Sequence, residues 1–534
     1  MANHALKRLL PAPDSGWHYA LSLALGIAMV AWYAASLANI RYPYTPDSAA
    51  YIEAARNLAQ GKPPVFNSPV DDQGTASAPV ALFPPGFPLL IRAVSTVGGI
   101  SEAAASVSIS WTSWVFLPAA LLFALRPVTG VWAAHMIGLL VGISPGVVQY
   151  GWPAHSDLPF LLLVIASFGL LVRGCQEPGR PMPLVTAGLL CGFAYLTRNA
   201  GIAFVAASAG SIVFLALGRM MERRAVVRRF VWWAAGAGII LIPALLWNLV
   251  VFGSLQPYEM PPSDVGAVHN VRVFLHAQLL DLAAIPALAM LAWNGMALLV
   301  TASIGLVLLW RARPGLRNAW REAEPDVKLA LIALGAYVTL GAATVIIART
   351  RYQWGEPINL RYVLQYSWAV FGVCAVLIAP ARSRAIRTIA PAMALVLVCS
   401  RLVYGQMQRV QEIDTYQAIM GAADPLLAAR TLPNRGTLIT SKLKLAVARD
   451  TGLMGRLRAY PDSVALVSNF ADVFEIETGR QVRGLEFDHC RLNNALKNLP
   501  ARLGSMGQIR VLVSPHNGML RSGCWERLTV ATFP

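Results

Sequence analysis

Asp47, in the stretch Tyr42 to Lys62 (YPYTPDSAAYIEAARNLAQGK), puts a carboxylate at the mouth of an apolar chain. An acid held at the water-lipid boundary can take the proton from a hydroxyl that attacks a lipid-borne substrate. Its plainer use is structural. Thr45, Pro46 and Asp47 read as a helix cap, a proline at the first helical position and an acid in the first turn, where it contributes under about 1 kcal/mol against the helix dipole. A second polar group, His155, Ser156 and Asp157, closes a short connection from Trp152 to Ser156. His155, Asp157 and Glu356 are candidates to position an acceptor or a metal, while Ser156 or Asp157 could equally cap the helix that follows. Stable metal sites usually need three or four ligands. No cofactor is therefore certain, and a divalent metal stays open.

Arg198, Arg272, Arg349, Arg351 and Arg361 fall on the face opposite the other basic clusters. A guanidinium at the edge of a membrane is costly unless paired, and snorkelling to headgroups accounts for only one or two of the five. Its paired donors match phosphate oxygens, so the rest are candidates to hold a phosphate.

The elements that must position these residues follow from composition. Over 534 residues the chain is 56% hydrophobic and 13% charged, which excludes a water-soluble fold. A formal charge of +17 would suggest nucleic acid in a soluble chain, but here the basic residues gather in short segments between apolar runs. Runs long enough to span occur at Trp17 to Ala38, Ala103 to Leu125, Val131 to Tyr150, Asp157 to Val172, Leu184 to Thr197, Ile202 to Leu217, Phe230 to Phe252, Ile285 to Trp310, Leu329 to Ala348, Tyr362 to Ala379 and Ile386 to Tyr404. The expectation is a mainly α, polytopic membrane protein of about eleven spans, none showing a break at midplane. Alternate connections carry the arginine, notably the cluster Arg219 to Arg229, which places the N-terminus in the cytoplasm.

Residues 1–404 then form the membrane domain, with a long first outer loop over 39–101, and residues 405–534 a separate small α/β domain on the periplasmic side. In that tail Gly436 to Thr440, Val464 to Ser468 and Ile509 to Val513 read as strands and Arg491 to Leu503 as an amphipathic helix. Cys490 and Cys524 could pair there; two unpaired cysteines fit as well. Trp17 to Ala38 is too long for a signal core and reads as a retained anchor. Within the first loop, Ala49 to Leu58 allows a short helix whose apolar face suits the membrane interface, and Phe83 to Leu90 (FPPGFPLL) reads as scaffold.

The pieces PDSAAYIEAARNLAQGK, FPPGFPLL, HSDLPFLLLVIASFGLL, GLLCGFAYLTRNAG and NLRYVLQYSW occur in the order seen in GT-C membrane glycosyltransferases. The chain most resembles the bacterial branch related to protein O-mannosyltransferases and the lipid A aminoarabinose transferase, over about Trp17 to Tyr404. The tail, with VALVSNFADVFEIETGR, resembles the soluble domain many such enzymes carry. The resemblance implies a sugar donor on a polyprenyl phosphate, used at the periplasmic face of the bacterial inner membrane, with a lipid, glycan or protein acceptor and inversion at the anomeric carbon. It matches Asp47 to the family's first-loop catalytic aspartate, Arg198 to a basic residue near the donor phosphate and Arg361 to the arginine of a late Arg-Tyr motif. His155 and Asp157 match only loosely. Many relatives have Asp-Glu where this chain has Asp47 and Ser48.

No Asp-x-Asp motif and no Gly-rich phosphate loop after a strand occurs, which disfavours a nucleotide-sugar enzyme. Two other classes remain as alternatives: a transporter or flippase of lipid-linked envelope precursors, and a non-catalytic scaffold of envelope assembly.

Overall fold

The computed structural model describes residues 16–37, 42–64, 83–177, 179–218, 220–255, 262–292, 320, 323–352, 357–378, 384–425, 428, 446–459, 464–468, 482–484 and 508–512. Glu356, Cys490, Cys524, the expected strand at 436–440, the expected helix at 491–503 and most of the run from Ile285 to Trp310 lie outside them. The chain divides into two compact units. One comprises 1–33, 110–152 and 156–407; the other comprises 34–109, 153–155 and 408–534.

The described helices are α1 (Gly16–Leu37), α2 (Pro46–Ala59), α3 (Gly86–Gly98), α4 (Glu102–Thr129), α5 (Val131–Gly142), α6 (Pro145–Gly151), α7 (Asp157–Gln176), α8 (Met182–Thr197) and α9 (Gly201–Leu217). They continue with α10 (Arg223–Phe252), α11 (Ala267–Ala283), α12 (Pro286–Ala289), α13 (Pro325–Arg351), α14 (Leu360–Ile378), α15 (Arg384–Met420) and α16 (Leu453–Arg458). Among the described residues seven helices are long and apolar enough to cross a membrane, or eight if the bent pair α5 and α6 is one span. Three shorter apolar helices, α3, α8 and α9, accompany them. This is a multi-pass membrane protein.

In the first unit, helices with no hydrophobic drive to associate in lipid hold together by close approach. Gly188 and Gly192 lie one turn apart on α8, opposite Gly236 on α10. A Cβ on Gly188 would lie 2.0 Å from the Trp233 carbonyl, and one on Gly236 2.0 Å from that of Val185. Only glycine lets these backbones touch.

The run from Val131 to Tyr150 is not one straight span, and the expectation of unbroken helices is corrected here: α5 and α6 meet at a 56° bend. Pro145 cannot continue a helix, because it lacks an N–H, yet it fits the first position of a new one. Ser144 caps α6, accepting from the Val147 N–H at 3.3 Å, and Asp281 Oδ1 accepts from the Gly146 N–H at 2.7 Å. Arg401 donates to the Leu140 carbonyl of α5 and, at 2.7 and 2.8 Å, to the Asp281 and Leu282 carbonyls of α11. A carboxylate thus meets the positive start of α6 and a guanidinium the negative ends of α5 and α11. Irregular backbone is tolerated inside a membrane protein when its polar groups are satisfied in this way.

In the second unit, Tyr51 and Ala55 of α2 are buried against Phe87 and Ile91 of α3 and Ala105 and Ile109 at the start of α4. The apolar face expected to lie in the membrane interface is therefore covered by protein. Phe83 packs on the same cluster, as its scaffold reading requires. Helix α15 runs without a break past Tyr404 to Met420. Near its end Ile419 packs on Val447. Strand β1 (Val464–Ser468) pairs in parallel with β2 (Val482–Gly484) and β3 (Gln508–Leu512), in the order β2-β1-β3.

Candidate active site

Asp47 belongs to the second unit. The start of α2 is closed by a reciprocal box: the Ser48 N–H donates to Thr45 Oγ1 at 3.3 Å, and the Thr45 N–H donates to Ser48 Oγ at 3.0 Å. The box does the capping, so the carboxylate of Asp47 is not required for it. Thr45 Oγ1 also lies 3.0 Å from Ser48 Oγ and from Nε2 of the fully buried His155. Thr45 Oγ1 and Nε2 share one hydrogen bond, and the other ring nitrogen, Nδ1, is on the side of Asp47. That nitrogen is 4.0 Å from Asp47 Oδ2. Segment 153–155 is fastened by the Ala154 N–H donating to the Pro43 carbonyl at 2.9 Å. Asp47 keeps 28% of its side chain exposed, so a proton it accepts can reach water.

Asp157, Arg198 and Arg361 belong to the first unit, each at a helix end. Asp157 opens α7, Arg198 follows the last residue of α8, and Arg361 is the second residue of α14. One carboxylate holds both cations. Arg198 Nη1 lies 2.5 Å from Oδ1 and Arg361 Nε 3.1 Å from Oδ2. Side-chain exposure is 3% for Asp157, 15% for Arg198 and 11% for Arg361. Ser156 makes no capping bond; its Oγ accepts from Arg198 Nη1 at 3.4 Å. The backbone start of α14 is held by Asn359 Oδ1, which accepts from the Arg361 N–H at 2.9 Å. Asp157 and Arg198 suit the dipole ends they occupy, whereas a cation at the start of α14 does not, and Asp157 offsets it.

Arg349 is buried near the end of α13 with its guanidinium 4.3 Å from the Tyr362 ring centre. Arg351 is exposed over Tyr352, and Arg272 is exposed on α11. Among the described residues no three His, Cys, Asp or Glu side chains gather as metal ligands.

The chain is similar to the solved structure of ArnT from Cupriavidus metallidurans bound to undecaprenyl phosphate, with 14% identity and a TM-score of 0.53, covering 97% of this chain and 96% of that one. The chain has the GT-C fold of membrane glycosyltransferases. Lesser likenesses are to the apo state of ArnT from Cupriavidus metallidurans, at 14% identity and a TM-score of 0.48 over 92% of this chain and 89% of that one. The archaeal oligosaccharyltransferase AglB from Archaeoglobus fulgidus, in complex with an inhibitory peptide and a dolichol-phosphate, gives 12% identity and 0.47 over 88% and 65%. No family model matches, and no curated protein matches in sequence. The GT-C fold leaves the chemistry to be argued from the residues.

Sequence reasoning missed Asp281 and Arg401. A usable signal existed: Arg401 interrupts the run from Ile386 to Tyr404, and a cation within a span is a residue with a partner.

Proposed function

We propose that the chain is an integral membrane glycosyltransferase that moves a sugar from a polyprenyl-phosphate donor to an acceptor hydroxyl on the periplasmic side of the bacterial inner membrane. The observation that carries this is the pair of guanidinium groups, Arg198 and Arg361, brought together at helix ends on one carboxylate. That arrangement suits an anion presenting several oxygens. ArnT from Cupriavidus metallidurans, whose fold it shares, was solved with undecaprenyl phosphate, which agrees with a lipid phosphate as donor.

In this reading Asp47 accepts the acceptor's proton as its oxygen attacks the anomeric carbon, the bond from that carbon to the phosphate oxygen breaks, and configuration inverts. His155, fixed by Thr45, orients Asp47. Arg198 and Arg361 stabilise the departing phosphate, and Arg349, Arg351 and Arg272 are secondary candidates for lipid headgroups. Asp157 belongs to the phosphate site, and Glu356 stays an acceptor or metal candidate. The proposed architecture is about eleven spans with a periplasmic α/β domain after them. The acceptor is a lipid, glycan or protein.

The bend between α5 and α6 favours a second reading, because transporters build substrate sites at broken helices. Here Ser144, Asp281 and Arg401 occupy the helix ends that a transported ligand would use, which supports a structural break. Purified chain in nanodiscs, given an undecaprenyl-phosphate sugar and cell-envelope acceptors, tests the enzyme: transfer with release of undecaprenyl phosphate is expected. Movement of the labelled lipid across liposomes without cleavage would establish the transporter instead.

A further inference from the structure

The transfer reaction changes the charge of the group that the triad holds. The acceptor oxygen forms a bond to the anomeric carbon while the carbon–oxygen bond to phosphate breaks, its electron pair staying on the phosphate oxygen. The acceptor proton goes to a base. A phosphodiester carrying one negative charge becomes a phosphate monoester carrying nearly two. A site of net charge +2 would grip the product more tightly than the donor and slow its departure.

Asp157 reduces that charge. It is buried, each of its oxygens takes one arginine, and Arg198 and Arg361 are themselves mostly buried, so solvent screens the three little. Two guanidinium groups brought together without it would repel. With it the triad carries a net +1, equal and opposite to a phosphodiester and one short of the monoester.

We propose that Asp157 tunes the charge of the phosphate site, selecting a monoanionic phosphodiester donor and limiting the hold on the dianionic product. This rests on Arg198 and Arg361 holding the lipid phosphate. Asp157 is a positioning and specificity residue and not the proton acceptor.

The test uses purified full-length chain and two probes with one tail, undecaprenyl phosphate and its methyl ester, bound in competition at pH 8. The ratio of monoester to diester affinity reads site charge and cancels any general loosening of the site. Asp157→Asn should raise this ratio about 10-fold or more, with stronger product inhibition, while Asp157→Glu keeps the parental ratio. Arg361→Gln, which takes the site from +1 to zero, should shift the ratio the other way, and it serves if Asp157→Asn does not fold. A parental ratio in folded Asp157→Asn, or in Arg361→Gln where the first variant does not fold, overturns the proposal. If Arg198→Ala and Arg361→Ala bind both probes as the parent does, it is the phosphate-site reading that fails, and the proposal with it.

Discussion

Two aspartates, each in the first turn of a helix, have different surroundings. Asp47 is 28% exposed with His155 4.0 Å away, on a helix already capped by Thr45 and Ser48. Asp157 is 3% exposed and bonded to two arginines, on a helix whose capping serine has been drawn to Arg198. A buried carboxylate bonded to two guanidinium groups is occupied in holding them. One whose helix does not need it, and which reaches water, is suited to accepting a proton. Environment separates the roles that residue type and position leave identical.

The sharpest way to break this contrast is to exchange charge for shape at each acid. Asp47→Asn should lower sugar transfer about 10²–10⁴-fold while the melting temperature stays at the parental value, because the capping box remains. Transfer assays on purified protein beside a thermal unfolding curve check both parts. Near-parental turnover would reduce Asp47 to an ornament of the dipole.

At the triad the expected signature is stability as well as binding. Removing Arg361 takes one ion pair from the largely buried Asp157, and breaking a buried pair costs up to about 3–5 kcal/mol. Asp157→Asn combined with Arg361→Gln should cost less than the two single changes together, with a coupling of about 0.5–3 kcal/mol in a double-mutant cycle of denaturant unfolding. Additive costs would mean the three side chains do not act as a unit. Donor KM should rise in Arg198→Ala and Arg361→Ala more than kcat falls.

A smaller effect is expected behind the triad, where α8 carries Arg198 to its place. Gly188→Ala would drive a Cβ to 2.0 Å from the Trp233 carbonyl, so α8 and α10 must separate. Overpacking of this kind typically costs about 1–3 kcal/mol. Thermal unfolding in detergent measures it, and Gly210→Ala, where a Cβ meets nothing within 4 Å, is the matched control.

Much of this was legible in the residues. Thr45, Pro46 and Asp47 announce the start of α2 because capping chemistry is local, and apolar runs such as Phe230 to Phe252 and Leu329 to Ala348 announce helices because lipid demands them. Val464 to Ser468 was read as the strand it forms. Arg198 and Arg361 stand out as cations at span ends, but that one carboxylate joins them could not be read, since Asp157 and Arg361 are 204 positions apart. The bend at Pro145 was hidden for a related reason: the apolar run continues through it, and the groups that make a break tolerable, Asp281 and Arg401, come from distant helices. Helix α3 escaped because its prolines read as a loop, although Pro88 lies in the first turn, where a proline needs no N–H partner.

The weakest expected effect tests the contrast from outside either site. Asp450 shares the second unit with Asp47, but its carboxylate accepts from Arg449 Nε at 2.7 Å and from the Tyr416 hydroxyl. Burial pushes its pKa up, and the Arg449 and Tyr416 bonds outweigh this and hold it below the usual carboxylate range. A folded pKa below the unfolded one means that the stabilisation is complete above the unfolded value of about 3.9. It is lost as pH falls through the folded value. Hydrogen exchange over 446–459 should therefore be unchanged from pH 7 to about pH 5 after correction for intrinsic rates, and protection should fall below about pH 4. Asp450→Asn should expose that segment already at pH 7 yet leave sugar transfer at the parental rate, since the Asp450 carboxylate is bonded to Arg449 and Tyr416. Protection that falls with pH in the parent and in Asp450→Asn alike would assign the loss to another carboxylate. A loss of transfer in that variant would mean that a carboxylate bonded to arginine also serves the chemistry, which would remove the ground for dividing the roles of Asp47 and Asp157 by their partners.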